Sequence, residues 1–390
     1  MESASIFHHL KPVCVPLVKN GSKNNLERFL IKIGSLPSHS ILEKPLFEYA
    51  LFPFKLILRQ TGLSENEEIL YFECLDSLFK KCSKDVVNLE TVLWIFNIFS
   101  IYFTPKEAFQ QKSNNNTKSD VLFQSVNKSD EQKIATLTML ESILRIIELE
   151  LFEFVYQDIK NLPLVGHVIS IVLKFVETER NKDLLVKSVS CLHLLCGQFL
   201  ESKIVADTVS SFFPGIALTL NTFFTSNSKQ STKLLIPTLE MFGDVTCLVM
   251  NDNDKPKPKK LTLDTLKLAF QDAMQTTKQD EPSVNDNKET LLTQRDSKWY
   301  ETTSTHIQTI LQNVLPVIMM HDNVKTRLVV IDFVELLLLN CRIALKSSIP
   351  SMLDTLAKFL SDPYKSVQHK SKQVLTASTK YLMKNGKNLV

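Results

Sequence analysis

Only 8 glycines punctuate 390 residues, and that scarcity narrows the possible folds more than any other feature. Ordinary proteins carry about 7% glycine. Doubly wound sheets, barrels and hairpin-rich folds spend it on tight turns and phosphate loops, where the backbone must take a positive φ or approach a ligand closely. A chain this poor in glycine points to helices joined by ordinary turns. The apolar residues agree. Leu164, Val168, Ile171, Val172 and Phe175 recur at helical intervals, as do Leu185, Val189, Leu192, Cys196 and Phe199, and Ile307, Ile310, Leu311, Val314, Val317 and Ile318. Each set lines one face of a helix, and no two-residue alternation is sustained, so no sheet is predicted. Many of these helices are apolar over a wide arc, as expected where neighbours cover both flanks.

Two polar stretches interrupt the pattern. Residues 105–130 contain Ser113-Asn114-Asn115-Asn116-Thr117 and few apolar anchors, which predicts a mobile loop. Residues 251–297 open on Asn251-Asp252-Asn253-Asp254, pass through Lys255-Pro256-Lys257-Pro258-Lys259-Lys260 and carry Glu281-Pro282. This second stretch reads as a mobile charged linker within the array, with a short amphipathic piece from Leu261 to Phe270. Loops of such length without core anchors are expected to be dispensable for folding.

A repeat is clearest near the end. Ser348-Ile349-Pro350 starts a helix carrying Leu353, Leu356, Phe359 and Leu360; Ser361-Asp362-Pro363 breaks it; Val367-Gln368 leads into a second helix with Ser371, Val374, Leu375, Ser378 and Leu382 on one face. The preceding unit runs from Ile307 through His321-Asp322-Asn323-Val324-Lys325 to Leu339, and Asn181-Lys182-Asp183-Leu184 is a third echo. Helix, short turn with Asp, Val with a basic residue, then helix resembles a HEAT repeat. Val324 and Val367 stand one repeat apart, within the ~40–47-residue period of such arrays. The usual basic residue after the valine is Gln368 in the last unit, which weakens any Asp–Arg ladder there. The predicted fold is therefore all-α: one HEAT/armadillo-like α-solenoid superhelix over 1–390, with roughly 14 to 18 helices. Stacked pairs bury a continuous core and leave a long surface suited to protein binding, with no enclosed pocket by default.

The chemistry supports a binding role over catalysis. A net charge of +3 implies no strong field for nucleic acid. Seven cysteines, an odd number without a Cys-x-x-Cys pair and several inside apolar helical patterns, read as reduced core residues of an intracellular protein. No signal segment opens the chain, and the most apolar run, Val92 to Phe103, is about half the ~20 residues of a spanning helix. The expected compartment is the cytoplasm, with the nucleus as a second location. Phosphate-loop, dinucleotide, nucleophile-elbow and zinc-protease motifs are missing, so no enzyme activity, cofactor or small-molecule substrate is implied. His8-His9 are expected to be solvated rather than metal ligands. Cys191, His193 and Cys196 cannot converge on one ion, because residues 191 and 193 point to different sides of a helix. Trp94, Phe96, Phe99, Tyr102 and Phe103 fall at helical spacing and are expected in the core. The Lys255–Lys260 run reads as solvated linker, with nuclear import or an acidic partner as the functional alternative. The candidate partner-binding residues are the basic side chains at the turns of the last two units: Lys325, Arg327, Lys365 and Lys370. Val324 is expected to be buried between its helices, and Lys325 and Arg327 to lie at or near the surface, with Arg327 near Asp322. A karyopherin-like HEAT transport receptor is the alternative function, and an enzyme with an unfamiliar site a third.

Several short segments carry a family resemblance. Phe7-x-x-Leu10-Lys11-Pro12-Val13-Cys14-Val15-Pro16-Leu17 resembles the opening of the Tel-two-interacting protein one family. Tyr49-Ala50-Leu51-Phe52-Pro53-Phe54-Lys55 and Ser211-Phe212-Phe213-Pro214-Gly215-Ile216 resemble later stretches of it. Trp299 followed by Lys325-x-Arg327-Leu328 and Val334-Glu335-Leu336-Leu337-Leu338 matches in the same order. The resemblance covers nearly the whole chain and corresponds to the amino-terminal part of longer proteins. It implies a HEAT solenoid that serves as the large scaffold subunit of the triple-T co-chaperone complex. That complex works with the heat-shock protein 90 machinery on phosphatidylinositol-3-kinase-related kinases. The partners so implied are the other triple-T subunits and those kinases, with neither nucleic acid nor membrane among them.

Overall fold

Helix starts are set by short polar side chains that accept otherwise unpaired N–H groups of the first turn. Asn88 accepts from Thr91 N, Asn181 from Asp183 N and Leu184 N, Asp296 from Trp299 N and Asn323 from Lys325 N. Ser129 and Gln132 form a reciprocal capping box, two donors satisfied at once. The computed structural model describes residues 3–37, 40–57, 62–104, 128–226, 231–255 and 293–385. Among them are fifteen α-helices and no strand; Leu42 and Cys82 make an isolated bridge.

The helices pair in chain order. The first three pairs are α1 (Ser3–Lys19) with α2 (Lys23–Gly34), α3 (Lys44–Ile57) with α4 (Glu65–Phe79), and α5 (Leu89–Phe103) with α6 (Asp130–Ile146). A short helix, α7 (Leu149–Gln157), intervenes before α8 (Leu162–Thr178) pairs with α9 (Lys182–Cys196). The last three pairs are α10 (Lys203–Ser226) with α11 (Thr232–Val249), α12 (Ser297–Ile318) with α13 (Val324–Asn340), and α14 (Ile349–Phe359) with α15 (Lys365–Asn385). The second members pack in an unbroken series, α2 on α4, α4 on α6, α6 on α9, α9 on α11, α11 on α13 and α13 on α15. The first members form the opposite layer: α1 packs on α3, α5 on α8, α8 on α10, α10 on α12 and α12 on α14. Lys55 of α3 reaches Glu90 of α5 at 2.8 Å across the remaining step. This two-layer succession is the expected α-solenoid.

The core lies between the layers. Edge contacts link Phe29, Phe54, Tyr71, Phe72, Tyr102, Phe103 and Phe175 from α2 to α8, with ring centroids 4.8–5.6 Å apart. Such pairs add about 0.5–1.5 kcal/mol each beyond their burial. The α10 helix runs through Pro214-Gly215, residues that cost about 3 and 1 kcal/mol in a helix interior. Phe213 and Ile216 are fully buried on either side, and that packing outweighs local propensity. By length and composition α10 is also the one described helix able to cross a membrane, yet half of that stretch is buried within the protein. It lies against α7, α8, α11 and α12 as a core helix.

The ends of both polar stretches belong to the framework. Glu68 on α4 accepts hydrogen bonds from Tyr102 Oη at 2.6 Å, Lys128 Nζ at 2.8 Å and Gln132 Nε2 at 2.5 Å, so it ties together residues on both sides of 105–127. Arg295 pairs with Asp207 at 2.7 Å and Asp254 at 3.1 Å, closing the base of 256–292. Asp252 accepts from Ile343 N at 2.8 Å and Ala344 N at 2.8 Å. Within the loops expected over 105–130 and 251–297, residues 128–129, 251–255 and 293–296 are coil or turn held by these bonds, and Asp130 and Ser297 begin helices. The rest of both stretches, 105–127 and 256–292, lies outside the described residues, and with it the amphipathic piece from Leu261 to Phe270.

Candidate protein-interaction face

Apolar positions of the second-layer helices face inward, which leaves their polar residues on one outer side, where they meet those of the next helix. Asp76 on α4 binds Lys80 at 2.7 Å and accepts from Ser142 Oγ on α6 at 2.5 Å. Glu141 on α6 accepts from Arg145 and Lys187 at 2.6 Å and from Ser190 at 2.8 Å. His193 on α9 reaches Asp244 on α11 at 2.8 Å. Lys370 on α15 pairs with Asp332 on α13. A polar stripe thus crosses α4, α6, α9, α11, α13 and α15.

Two adjoining hollows open along it, sharing His193 and Asp244. One, of about 360 Å³, lies among Arg145, Ser190, Leu194, Gln198 and Leu200. The other, of about 270 Å³, lies between α11 and α13, with Leu239, Val329, Phe333 and Leu336 as apolar walls and Glu240, Asp244 and Asp332 at the edge. Gly243 permits this approach: a Cβ there would stand 3.0 Å from the Phe333 ring and 3.1 Å from Leu336. Gly197 does the same beside His193, where a Cβ would come within 2.9 Å of the imidazole.

The two glutamates of this face sit in opposite electrostatic states. Burial alone would raise the Glu141 carboxyl, but hydrogen bonds from Lys187, Arg145 and Ser190 outweigh it and hold the group below its usual range. The Glu240 carboxyl is pushed up, first by partial burial and then by Asp244 and Asp332, against an opposing pull from His193. No lysine or arginine among the described residues pairs with Glu240. A carboxylate that is partly desolvated beside like charges, with a nearby imidazole that does not offset them, is expected to shift this way.

The predicted binding residues do not form one patch. Lys325 and Lys365 are exposed at the starts of α13 and α15. Lys370 is half-buried and engaged by Asp332. Arg327 is not at the surface: its side chain is 9% exposed and lies against Asp362, itself 5% exposed, with Nε 2.8 Å from Oδ2. Its Nη1 donates to the carbonyls of His321 at 2.6 Å and Asp322 at 3.1 Å, and Tyr364 covers it at 5.3 Å. The Asp–Arg ladder is therefore present between the last two units, with Asp362 rather than the Asp322 carboxylate as the partner. Val324 is half-buried, whereas Val367 at the matching turn is fully buried.

Other sequence expectations are placed as follows. Phe96, Phe99 and Phe103 are buried, with Trp94 and Tyr102 packed partly against the core. Cys191 and Cys196 are buried while His193 faces the hollows, so the three diverge. His9 contacts Ser35 Oγ at 2.9 Å and the Lys32 carbonyl at 3.2 Å. Lys255 donates to the Ile343 carbonyl at 3.4 Å, and the remainder of the 255–260 run lies outside the described residues. Sequence reasoning missed the α11–α13 hollow. Its available signal was Glu240 and Asp244 one turn apart on an otherwise apolar helix.

The comparisons with known proteins concern this same array. The family described as the TTI1 N-terminal TPR domain matches residues 7–363. TELO2-interacting protein 1 homolog of Mus musculus is 24% identical over 383 residues, covering 95% of this chain and 32% of that protein. The Homo sapiens homolog is 23% identical over the same coverage. TEL2-interacting protein 1 of Saccharomyces cerevisiae is 24% identical over 331 residues, covering 81% of this chain and 30% of that protein. The chain thus spans about a third of the length of the curated relatives it matches. No solved structure matches it. TPR units repeat at ~34 residues, whereas second-layer helices here begin at Lys23 and Glu65, and at Val324 and Lys365, the longer spacing of HEAT-type pairs. With its two-layer array matched by the family from residue 7 to residue 363, the chain belongs to the TTI1 N-terminal domain family.

Proposed function

We propose that this chain is a non-catalytic, protein-binding scaffold: the amino-terminal array of a triple-T complex subunit. In that role it assists the maturation of phosphatidylinositol-3-kinase-related kinases with the heat-shock protein 90 machinery. The observation that carries this is the continuous second-layer face, a long surface with shallow open hollows, in a chain whose relatives are named for interaction with TELO2 or TEL2. The partners are the other triple-T subunits and the kinases, and the working compartment is the cytoplasm, with the nucleus as a second site. Lys325 and Lys365 are the basic residues free to face a partner at the turn edge.

Affinity purification of the full-length protein with mass spectrometry tests this. Recovery of a TELO2-type subunit and large kinases supports the function. Recovery of nuclear-pore proteins and a small GTPase instead would replace it with a karyopherin-like receptor.

A further inference from the structure

We propose that the hollow between α11 and α13 receives a basic amphipathic helix from a partner protein. Its apolar side would lie on Val329 and Leu336, the half-buried apolar residues of the lining, and an arginine or lysine would lie against Glu240. This rests on the protein-scaffold function and specifies the kind of partner segment that one part of the face accepts.

The argument starts from shape. Gly243 lets α11 and α13 approach, and beside the contact lies a cleft of about 270 Å³ with four apolar wall residues, of which Val329 and Leu336 are partly open to solvent and Leu239 and Phe333 are buried behind them. A cleft between neighbouring helices with an apolar floor is the geometry that accepts another helix by its apolar stripe. Charge then selects the occupant. One step back along the layer, Glu141 is fully served by Lys187, Arg145 and Ser190. At the cleft, Asp332 has Lys370 and Asp244 has His193. Glu240 has neither lysine nor arginine among the described residues, although it sits beside two other acids; His193, already engaged by Asp244, pulls against them without bringing the Glu240 carboxyl back to the ordinary range. The edge therefore carries an unbalanced negative charge over an apolar floor. An acidic or purely apolar segment would leave Glu240 desolvated and unpaired, which is costly. A basic one removes the repulsion and gains a charge-assisted hydrogen bond.

The test uses the full-length protein and fluorescein-labelled synthetic helices, read by fluorescence anisotropy. One helix carries leucines at i, i+3, i+4 and i+7 with flanking arginines. A second replaces the arginines by glutamates, and a third replaces the leucines by glutamines. The first is expected to bind, at least about tenfold more tightly than either control, with affinity falling as salt rises. Glu240→Lys should weaken it by about tenfold or more, and Leu336→Gln, at a half-buried wall position, should weaken it without loss of helical circular dichroism. Glu48→Lys, an exposed charge reversal on α3, should leave affinity unchanged. Equal binding of the glutamate helix, equal binding of the leucine-free helix, or insensitivity to Glu240→Lys in a folded variant would each overturn the proposal. So would an equal loss with Glu48→Lys, which would reduce the effect to overall charge. If replacing 256–292 by a short linker raises affinity several-fold, the occupant is the basic Lys255–Lys260 segment of this chain, and the partner assignment is overturned. If Glu240→Lys instead converts a dimer to a monomer in sedimentation, a second copy is the occupant, with the same consequence. Failure of the helices to bind while affinity purification still recovers triple-T partners removes this cleft and leaves the scaffold function standing.

Discussion

Replacing Arg327 by methionine removes the buried ion pair between the last two helical pairs. Asp362 would then remain 5% exposed with the Tyr364 N–H, at 2.9 Å, as its nearby donor. The carbonyls of His321 and Asp322 lose their shared guanidinium donor. Breaking a buried pair from one side costs about 3–5 kcal/mol, and the lost stacking on Tyr364 adds about 0.5–1 kcal/mol. In an array, each unit contacts only its neighbours, so this loss should be local. Hydrogen–deuterium exchange should show α13, α14 and α15 deprotected while α1 to α6 keep wild-type protection, and urea unfolding should gain an early phase. Adding Asp362→Asn to Arg327→Met should recover about 1–3 kcal/mol as coupling energy, because the uncompensated charge is gone while a side-chain oxygen remains to accept from Tyr364 N–H. A loss below about 1 kcal/mol for Arg327→Met, the size of an exposed ion pair, would refute the ladder's structural role.

Three further outcomes follow from the same geometry. At pH 7 Glu141→Gln should destabilise the protein and Glu240→Gln should stabilise it. Glu141's contribution belongs to its ionised form and is lost only as pH falls through its lowered folded pKa; Glu240's penalty also belongs to its ionised form and is relieved by protonation, so the urea midpoint of Glu240→Gln should converge on wild type below the ordinary glutamate value of about 4.3, and that of Glu141→Gln only at lower pH than this. Val367→Asp should cost several kcal/mol, since it buries a carboxylate at a fully enclosed position, whereas Val324→Asp, at a half-buried position, should cost clearly less in parallel thermal melts. Lys325→Glu with Lys365→Glu should move stability by no more than about 1 kcal/mol while slowing association of a recovered partner at low salt in surface-binding kinetics.

Helix type and burial were legible wherever an apolar stripe fixed the facing side. In α12, Ile307, Ile310, Leu311, Val314 and Ile318 are buried as their spacing predicts, while Val317 of the same stripe is partly exposed. In α8, Val168, Ile171, Val172 and Phe175 are buried as their spacing predicts, and Leu164, in the first turn, is partly exposed. Continuation of α10 through Pro214-Gly215 was not legible, since tertiary burial of Phe213 and Ile216 decides it. Arg327 was misplaced for a related reason: a basic residue beside a turn reads as solvated until its partner Asp362, in the next unit, is brought against it. The ends of the polar stretches were hidden likewise, because Glu68 and Arg295 act on residues far away in sequence. The α11–α13 hollow was signalled by Glu240 and Asp244 one turn apart, but the approach of two helices at Gly243 that forms it is a spatial fact.

Hydrogen–deuterium exchange of the full-length protein, alone and saturated with the TELO2-type partner recovered by affinity purification, tests most directly that the second-layer face is a binding surface. New protection is expected on α9, α11 and α13 around His193, Glu240, Asp244 and Asp332, with the first-layer helices α3, α5 and α8 unchanged. Protection confined to the first layer, or no change on any described helix at saturation, would contradict it.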